Sequence, residues 1–347
     1  MTSQPTVSAG PIYPFGETLP APGAVIEVGR GVHWLRMPLP FALDHINLWL
    51  LADGDGWVIV DTGLGTPATR ELWDQLFANT LRGRRVTRII VTHYHPDHAG
   101  NAGWLATKTG APVYMTTGEF LTAHAVRDDA AGHDNANAAE FYRVNGLPLD
   151  GEGQSGMLSN SYRRGVPELP TRYQRLMDGD RLIIGEHEWR VICVFGHAPE
   201  QATLVCESLG LFISGDQVLP RITTNVGVWG NQPDANPLAR YLGSLEHLAS
   251  LPPHLRVLPS HDRVFEGLHD RLAQLHRHHE DRLAKLLTAC DVPRSARDVL
   301  DVLFRRKLDD HQMRFAMAEA VAHLHLLHAQ GRLTRVEEGG VRRYRRA

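Results

Sequence analysis

Four side chains able to ligate a metal fall within six residues of Thr92-His93-Tyr94-His95-Pro96-Asp97-His98-Ala99-Gly100: His93, His95, Asp97 and His98. Imidazole nitrogens and carboxylate oxygens are good ligands for zinc and its neighbours. On a loop that curls, the alternate residues His93 and His95 turn toward one ion, and the adjacent Asp97 and His98 face a second. A single histidine beside a strand is usually structural, but a ligand set this dense is seldom spent on packing. Two ions need more ligands and a bridge. Three later points each offer one: His197 in Phe195-Gly196-His197-Ala198-Pro199, Asp216 in Ser214-Gly215-Asp216, and His261 in Pro259-Ser260-His261. A water on such an ion loses its proton near pH ~7, against ~15.7 in bulk. It then serves as a nucleophile for a carbonyl or a phosphorus, and the second ion stabilises the oxyanion or the leaving group. Asp97, beside that nucleophile, can orient it and shuttle a proton. Asp97 and Asp216, the carboxylates of the set, are the candidate catalytic groups.

Rigid elements must bring those points together. Arg88–Thr92 reads as a buried strand that runs straight into the histidine cluster, and His197, Asp216 and His261 each follow an apolar strand-like run. Upstream, strands are expected at 24–28, 32–37, 46–51 and 57–60, with a hairpin turn at Asp53-Gly54-Asp55-Gly56. Thr66-Pro67 opens a helix, Thr as N-cap and Pro at the first position. Strands and helices alternate irregularly to about residue 265, with no Gly-rich dinucleotide fingerprint, which predicts layered α/β sheets flanked by helices. From about Asp128 to Gln174 the pattern weakens into Gly, Asn, Asp and Pro, and this insertion is a candidate lid. Beyond residue 266 the order changes. Leu268, Leu272, Leu275, His279, Leu283, Leu286 and Cys290 form one stripe of a long helix. A helix over Ala296–Phe304, a third carrying Met313 to Leu327 with Gly331 as its cap, and a hairpin at 333–344 complete a winged-helix order.

The pattern H-x-H-x-D-H, followed by a downstream His, an Asp and a His, resembles the metallo-β-lactamase superfamily. Asp61-Thr62-Gly63 matches that family's upstream motif, and the resemblance spans roughly Val25 to Phe265. It implies an αββα sandwich over residues 24–265, after a loose leader at 1–23, with the site along one edge. It also implies that His93, His95 and His197 hold one ion, that Asp97, His98 and His261 hold the other, that Asp216 bridges, and that Asp61 orients a ligand from behind. The 266–347 tail resembles the winged-helix appendage of glyoxalase II-like members. One departure stands out. Many relatives carry Ser or Thr after the third-motif His and a Gly soon after, whereas this chain reads Ala198-Pro199-Glu200-Gln201.

Composition bounds the rest. The 347 residues are 43% hydrophobic and 22% charged, as in an ordinary globular protein, and a net charge of −3 does not suggest a polycation seeking nucleic acid. Among 20 histidines, His276, His278, His279, His323, His325 and His328 lie in charged helical stretches and are expected to be solvated. Cys193, Cys206 and Cys290 have no paired spacing and read as buried thiols. Met1 to Pro22 lacks the basic start and apolar stretch of a secretory signal, and no run approaches the roughly 20 apolar residues of a membrane span. A cytoplasmic location is expected.

These readings predict a hydrolase with two divalent ions, zinc first, with iron or manganese fitting the same donors. The favoured substrate is a small acyl thioester on an acidic carrier such as glutathione or coenzyme A, with Tyr142, Tyr162, Arg163 and Arg164 of the insertion as its grip. A lactone is an alternative. Another is phosphodiester cleavage by an endoribonuclease: the tail from Gly331 carries six arginines against Glu337 and Glu338, a net of +4. A non-enzymatic winged-helix regulator would not need the complete ligand set. The tail is expected to serve assembly, as a homo-oligomer contact, or to support the lid rather than to read nucleic acid.

Overall fold

The computed structural model describes residues 10–41, 43–130, 132, 135–148 and 162–347. Its strands are β1 (Ile26–Gly29), β2 (Val32–Pro38), β3 (His45–Asp53), β4 (Gly56–Val60), β5 (Val86–Ile90), β6 (Val113–Thr116), β7 (Gln174–Leu176), β8 (Arg181–Ile184), β9 (His187–Val194), β10 (Gln201–Cys206), β11 (Leu211–Gly215), β12 (Arg256–Pro259), β13 (Leu333–Glu338) and β14 (Val341–Arg346). Its helices are α1 (Pro67–Asn79), α2 (Pro96–Ala99), α3 (Ala102–Thr109), α4 (Thr117–Arg127), α5 (Asn135–Val144), α6 (Tyr162–Gly165), α7 (Pro237–Leu248), α8 (Leu268–Ala289), α9 (Leu300–Leu303) and α10 (Asp310–Ala329).

Strands β1 to β7 form one sheet in chain order, and β12-β11-β10-β9-β8 form a second. The sequence explains why both sheets are covered on two faces. Along β3, Ile46, Leu48 and Leu50 point to one core while Trp49 and Leu51 point to another. Successive side chains of a strand face opposite ways, so an almost continuous apolar run must be buried on both sides. The inner core joins Trp34, Trp49, Val60 and Ile90 of the first sheet to Trp189, Leu204, Ile213 and Leu258 of the second. Outside the first sheet lie Trp73 and Leu76 of α1 and Leu105 of α3. Outside the second lie Leu238, Tyr241 and Leu245 of α7, with α8 and α10 behind them. The result is a layered helix–sheet–sheet–helix sandwich. Strands β4 to β7 run parallel, as do β11 and β12, so their carboxyl ends lie at one edge. Thr66 caps α1 by accepting from the Thr69 N–H, and Pro67 follows it.

The C-terminal part shares the outer core of the second sheet. The Leu268–Leu286 stripe of α8 is buried there against α7 and α10. The expectation of solvated tail histidines fails at three positions: His279 and His323 are fully buried and His325 is 5% exposed. Helices α8 and α10 pack face to face, and the apolar stripes that carry these histidines are the buried faces. The helix expected over Ala296–Phe304 is instead a 3-10 turn, Arg297–Val299, followed by the short α9. Ser295 and Asp298 trade hydrogen bonds across that turn. The β13–β14 hairpin closes on Gly339 and Gly340, both at positive φ, as a two-residue turn requires.

Candidate metal centre

Every ligand candidate stands just past a strand. Strand β5 ends at Ile90 and leads through Thr92 into the loop of His93 and His95, and Pro96 starts the single turn α2 that carries Asp97 and His98. His197 follows β9, Asp216 follows β11 directly, and His261 lies two residues past β12. The structure brings all seven together at the sheet edge. Ligand atoms of His93, His95, His197 and Asp216 lie within 4.8 Å of one another, and so do those of Asp97, His98 and His261.

Asp216 joins the two groups. Its Oδ2 is 3.3 Å from His197 Nε2, while its Oδ1 is 3.5 Å from both His98 Nε2 and His261 Nε2. Asp97 Oδ2 completes the second group, 3.4 Å from His261 Nε2 and 3.8 Å from His98 Nε2. Within the first group, His93 Nε2 is 2.8 Å from His95 Nδ1 and 3.3 Å from His197 Nε2. His98 Nε2 and Asp216 Oδ1 are buried with no hydrogen-bond partner. A buried polar atom left unpaired is costly, so a donor set that faces inward without partners fits a pair of cations. The electrostatics agree. Burial and the neighbouring imidazoles hold His93 neutral, and burial with His197 takes His95 down to about 3. On the other side, burial opposes charge on His261, yet Asp216 and Asp97 carry it up to about 10. In the bare protein, imidazolium charge at His98 and His261 balances the carboxylates, a role two divalent ions would take over.

Groups behind the ligands fix their rings. Asp61 accepts from the Thr92 N–H at 2.7 Å and the Thr92 hydroxyl at 2.9 Å, and its Oδ2 meets His98 Nδ1 at 2.8 Å. His197 Nδ1 is 2.8 Å from the Asn225 carbonyl, and His261 Nδ1 is 2.9 Å from that of His45. With Nδ1 donating in each case, Nε2 is left to face the centre. Thr62 donates its hydroxyl to the His98 carbonyl at 2.6 Å, and the Asn101 amide donates to the carbonyls of Thr62, Gly63 and Leu64.

Sequence reasoning missed Glu119. Its carboxylate is fully buried, accepting the Tyr94 N–H at 2.8 Å and the Glu200 N–H at 2.6 Å. It therefore ties the His93–His95 loop to the His197 loop. Burial pushes it up to about 7 against the pull of those two N–H groups. In sequence it reads only as an acid in the first turn of a helix. Asn101 and Asn225 carried no signal either, since each acts on backbone carbonyls or through its own.

The expected substrate grip is corrected in part. Tyr142 is 2% exposed and packs with Phe141 in the outer core, so its ring has no surface to offer a substrate. Tyr162 is 6% exposed and donates its hydroxyl to the Tyr94 carbonyl at 2.6 Å, which makes it a brace for the ligand loop. Arg163 is exposed, bonds to the Arg127 carbonyl and stands 3.5 Å from Asp128; Arg164 is exposed beside it. Residues 149–161 of the expected lid lie outside the described residues.

The family model described as Metallo-beta-lactamase superfamily matches residues 42–261, and one described as Metallo-beta-lactamase-like, C-terminal domain matches 283–347. The chain belongs to the metallo-beta-lactamase superfamily. The structure of a beta-lactamase domain protein from Burkholderia ambifaria superposes with a TM-score of 0.91 at 45% identity, covering 97% of this chain and 98% of that one. A probable metallo-hydrolase, YqjP of Bacillus subtilis (strain 168), is 24% identical over 312 residues, 88% of this chain and 94% of its own. The acyl-coenzyme A thioesterase MBLAC2 of Homo sapiens is 24% identical over 254 residues, 69% of this chain and 81% of its own. Among the described residues, no helix is long and apolar enough to cross a membrane.

Proposed function

We propose that this chain is a hydrolase that uses two divalent ions, zinc first with iron or manganese as fits, on a small acyl thioester. The observation that carries the dinuclear reading is Asp216, whose two oxygens face two separate ligand groups. Ions bound there would acidify a water and polarise a carbonyl. Asp97, 19% exposed at its side chain, is the carboxylate able to orient that water and pass on its proton.

The thioester reading is supported by the likeness to an acyl-coenzyme A thioesterase and by an aromatic set. Phe41, from the β2–β3 loop, stacks on His311 at 6.1 Å, His311 meets Phe315 at 5.0 Å, and Phe315 meets Trp229 at 5.9 Å. Phe41 is 51% exposed and Phe315 37%, which leaves apolar surface for an acyl group. Trp229 lies four residues past Asn225, which holds His197. Arg163 and Arg164 remain candidate anchors for an acidic carrier. We read the tail as winged-helix-like and supporting. Four of its five hairpin arginines are engaged close to home: Arg335 and Arg342 on Asp234, Arg343 on Asp298, Arg346 on Asp291. A nucleic-acid track would need such charges free to meet several phosphates. Association of two copies through the tail would use a face other than the buried α8 stripe.

The test is a panel on the metal-loaded protein: glutathione and coenzyme A thioesters, a lactone, a β-lactam, a phosphodiester and short RNA. Thioesters should give the highest kcat/KM. RNA winning by more than about tenfold, ~1.4 kcal/mol of discrimination, would replace this reading with a nuclease.

A further inference from the structure

One polar side chain interrupts the apolar run of β3: Asn47, between Ile46 and Leu48. By strand alternation it lies on the side of Trp49 and Leu51, which face the inner core. It is fully buried, and a buried carboxamide must be paired. Its partners lie on the other sheet and on the neighbouring strand. Nδ2 donates to the Pro259 carbonyl at 2.8 Å and to the Asp262 carbonyl at 3.0 Å. Oδ1 accepts from Nε of Arg36 at 3.0 Å, and Arg36 stands directly opposite on β2. The Asn47 backbone N–H donates to the Ser260 carbonyl at 2.7 Å. Three of the four carbonyls from Pro259 to Asp262 therefore end on one residue of the first sheet.

The remaining residue of that stretch is His261. Behind it, Asp262 sits at φ 70°, in the left-handed region, which a non-glycine residue holds only when its surroundings fix it. Here they do. The Asp262 carbonyl is taken by Asn47 and by Nη2 of Arg36, and its N–H donates to His45 Nε2 at 2.8 Å. The His45 carbonyl then meets His261 Nδ1 at 2.9 Å, on a ring delivered from a backbone held on both sides. Supports behind a ligating histidine fix its orientation, and losing one typically costs about 10–100-fold in metal affinity. His261 is the one ligand candidate on this loop. The His93–His98 loop, His197 and Asp216 follow other strands, so the Asn47 side chain acts on one side of the centre.

We propose that Asn47, braced by Arg36, is a positioning residue for the ion held by Asp97, His98 and His261, acting through the 259–262 loop. This rests on the two-ion reading above. The experiment is metal-competition titration of the full-length protein with Zn, alongside the visible spectrum of the Co-substituted form. His197→Ala and His261→Ala serve as references that tell the two ions apart. Asn47→Asp keeps the volume and the acceptor for Arg36 but turns a carboxylate oxygen toward the Pro259 and Asp262 carbonyls. In this variant the affinity of the His261-side ion should fall by about 10-fold or more, with a changed Co spectrum, while the His197-side ion keeps its affinity. Leu48→Ala is the control, since the next residue of the same strand is equally buried but faces the outer core. It should lower the Tm and leave both affinities alone. Asn47→Asp behaving like Leu48→Ala, or losing both ions alike, would overturn the proposal. Should Asn47→Asp fail to fold, Arg36→Met removes the donors to Asn47 Oδ1 and to the Asp262 carbonyl and should show the same selective loss; wild-type affinities there would overturn the proposal equally. Wild-type protein that takes up no pair of ions would instead overturn the dinuclear reading, and this inference with it.

Discussion

Asp61 Oδ2 lies 2.8 Å from His98 Nδ1, and both side chains are buried. The same carboxylate holds Thr92, the last residue before the ligand cluster, by its N–H and its hydroxyl. Asp61 itself sits at φ 61°, in the left-handed region. Asp and Asn tolerate that conformation, whereas Ala pays roughly 1–2 kcal/mol for it. Two effects can thus be separated. Asp61→Asn should keep the backbone but weaken the ion at His98 by about 10–100-fold. Asp61→Ala should show the same loss and a further drop in stability of roughly 1–2 kcal/mol. Denaturant titration and metal competition measure the two. Equal stability of the variants would remove the strain argument, and unchanged metal affinity would remove the orienting role.

Elemental analysis of protein purified without chelator should find about two ions per chain, since seven ligands are too many for one tetrahedral site. Asp216→Ala should loosen both, because its two oxygens face both groups. Asp97→Asn should spare the ion at His93, His95 and His197 and cost most of the turnover. A single ion at full occupancy, unmoved by added metal, is the outcome that sinks the pair.

The candidate ligands were legible because their chemistry is concentrated: a set as dense as His93 to His98 is seldom spent on packing, and each later candidate marks a strand end that the structure brings to the same sheet edge. The β3–β4 hairpin and the α1 cap were legible because Asp-Gly turns and Thr-Pro starts act locally. What supports the centre was not. Glu119, Asn101 and Asn225 work on backbone N–H and C=O groups brought close only by the fold, and no spacing encodes that. Tyr142 misled because aromatic and basic residues near a gap in the pattern look like a binding loop, whereas Tyr142 lies on α5, a helix the sequence does show near 136–144, and turns with Phe141 into the outer core. The tail histidines misled in the same way. Charged neighbours on α8 and α10 occupy the outer faces, and the histidines belong to the apolar stripe.

His279 and His323 make the molecule acid-sensitive away from the metal centre. Their rings meet at 3.1 Å, Nδ1 to Nε2, with His323 Nδ1 on the Glu319 carbonyl. Around them stand His276, His278 and Arg282 on α8, Glu319 on α10 and Tyr241 on α7. Burial, with His323 adding to it, takes His279 down to about 2, and burial takes His323 down to about 4. Both lie below the unfolded value of about 6.5, so the unfolded chain binds more protons in this range. Stability is fully present above pH ~6.5 and falls as pH drops toward those folded values, by up to about 1.4 kcal/mol per pH unit for each group. Denaturant midpoints from pH 7.5 to 5 should fall more steeply for the wild type than for His279→Met. Parallel slopes would show that the pair does not contribute.

The last prediction concerns Glu119, whose two oxygens serve two different loops. Oε2 accepts from Tyr94 N–H, between His93 and His95, and Oε1 from Glu200 N–H, three residues past His197. Gln keeps the shape but has one acceptor oxygen, and its amide group would confront a second N–H. Glu119→Gln must therefore leave one buried backbone N–H unsatisfied, at a cost of roughly 1–3 kcal/mol. If Glu119 only filled space, the same change would be nearly neutral. The loops it ties both carry ligands of the His197-side ion, so that ion should loosen before the one at Asp97, His98 and His261. Hydrogen exchange gives an independent readout, because the amides of Tyr94 and Glu200 should lose protection together with the acceptor. A Glu119→Gln protein with wild-type midpoint, metal affinities and amide protection would show that the tie between the two loops does not hold the centre.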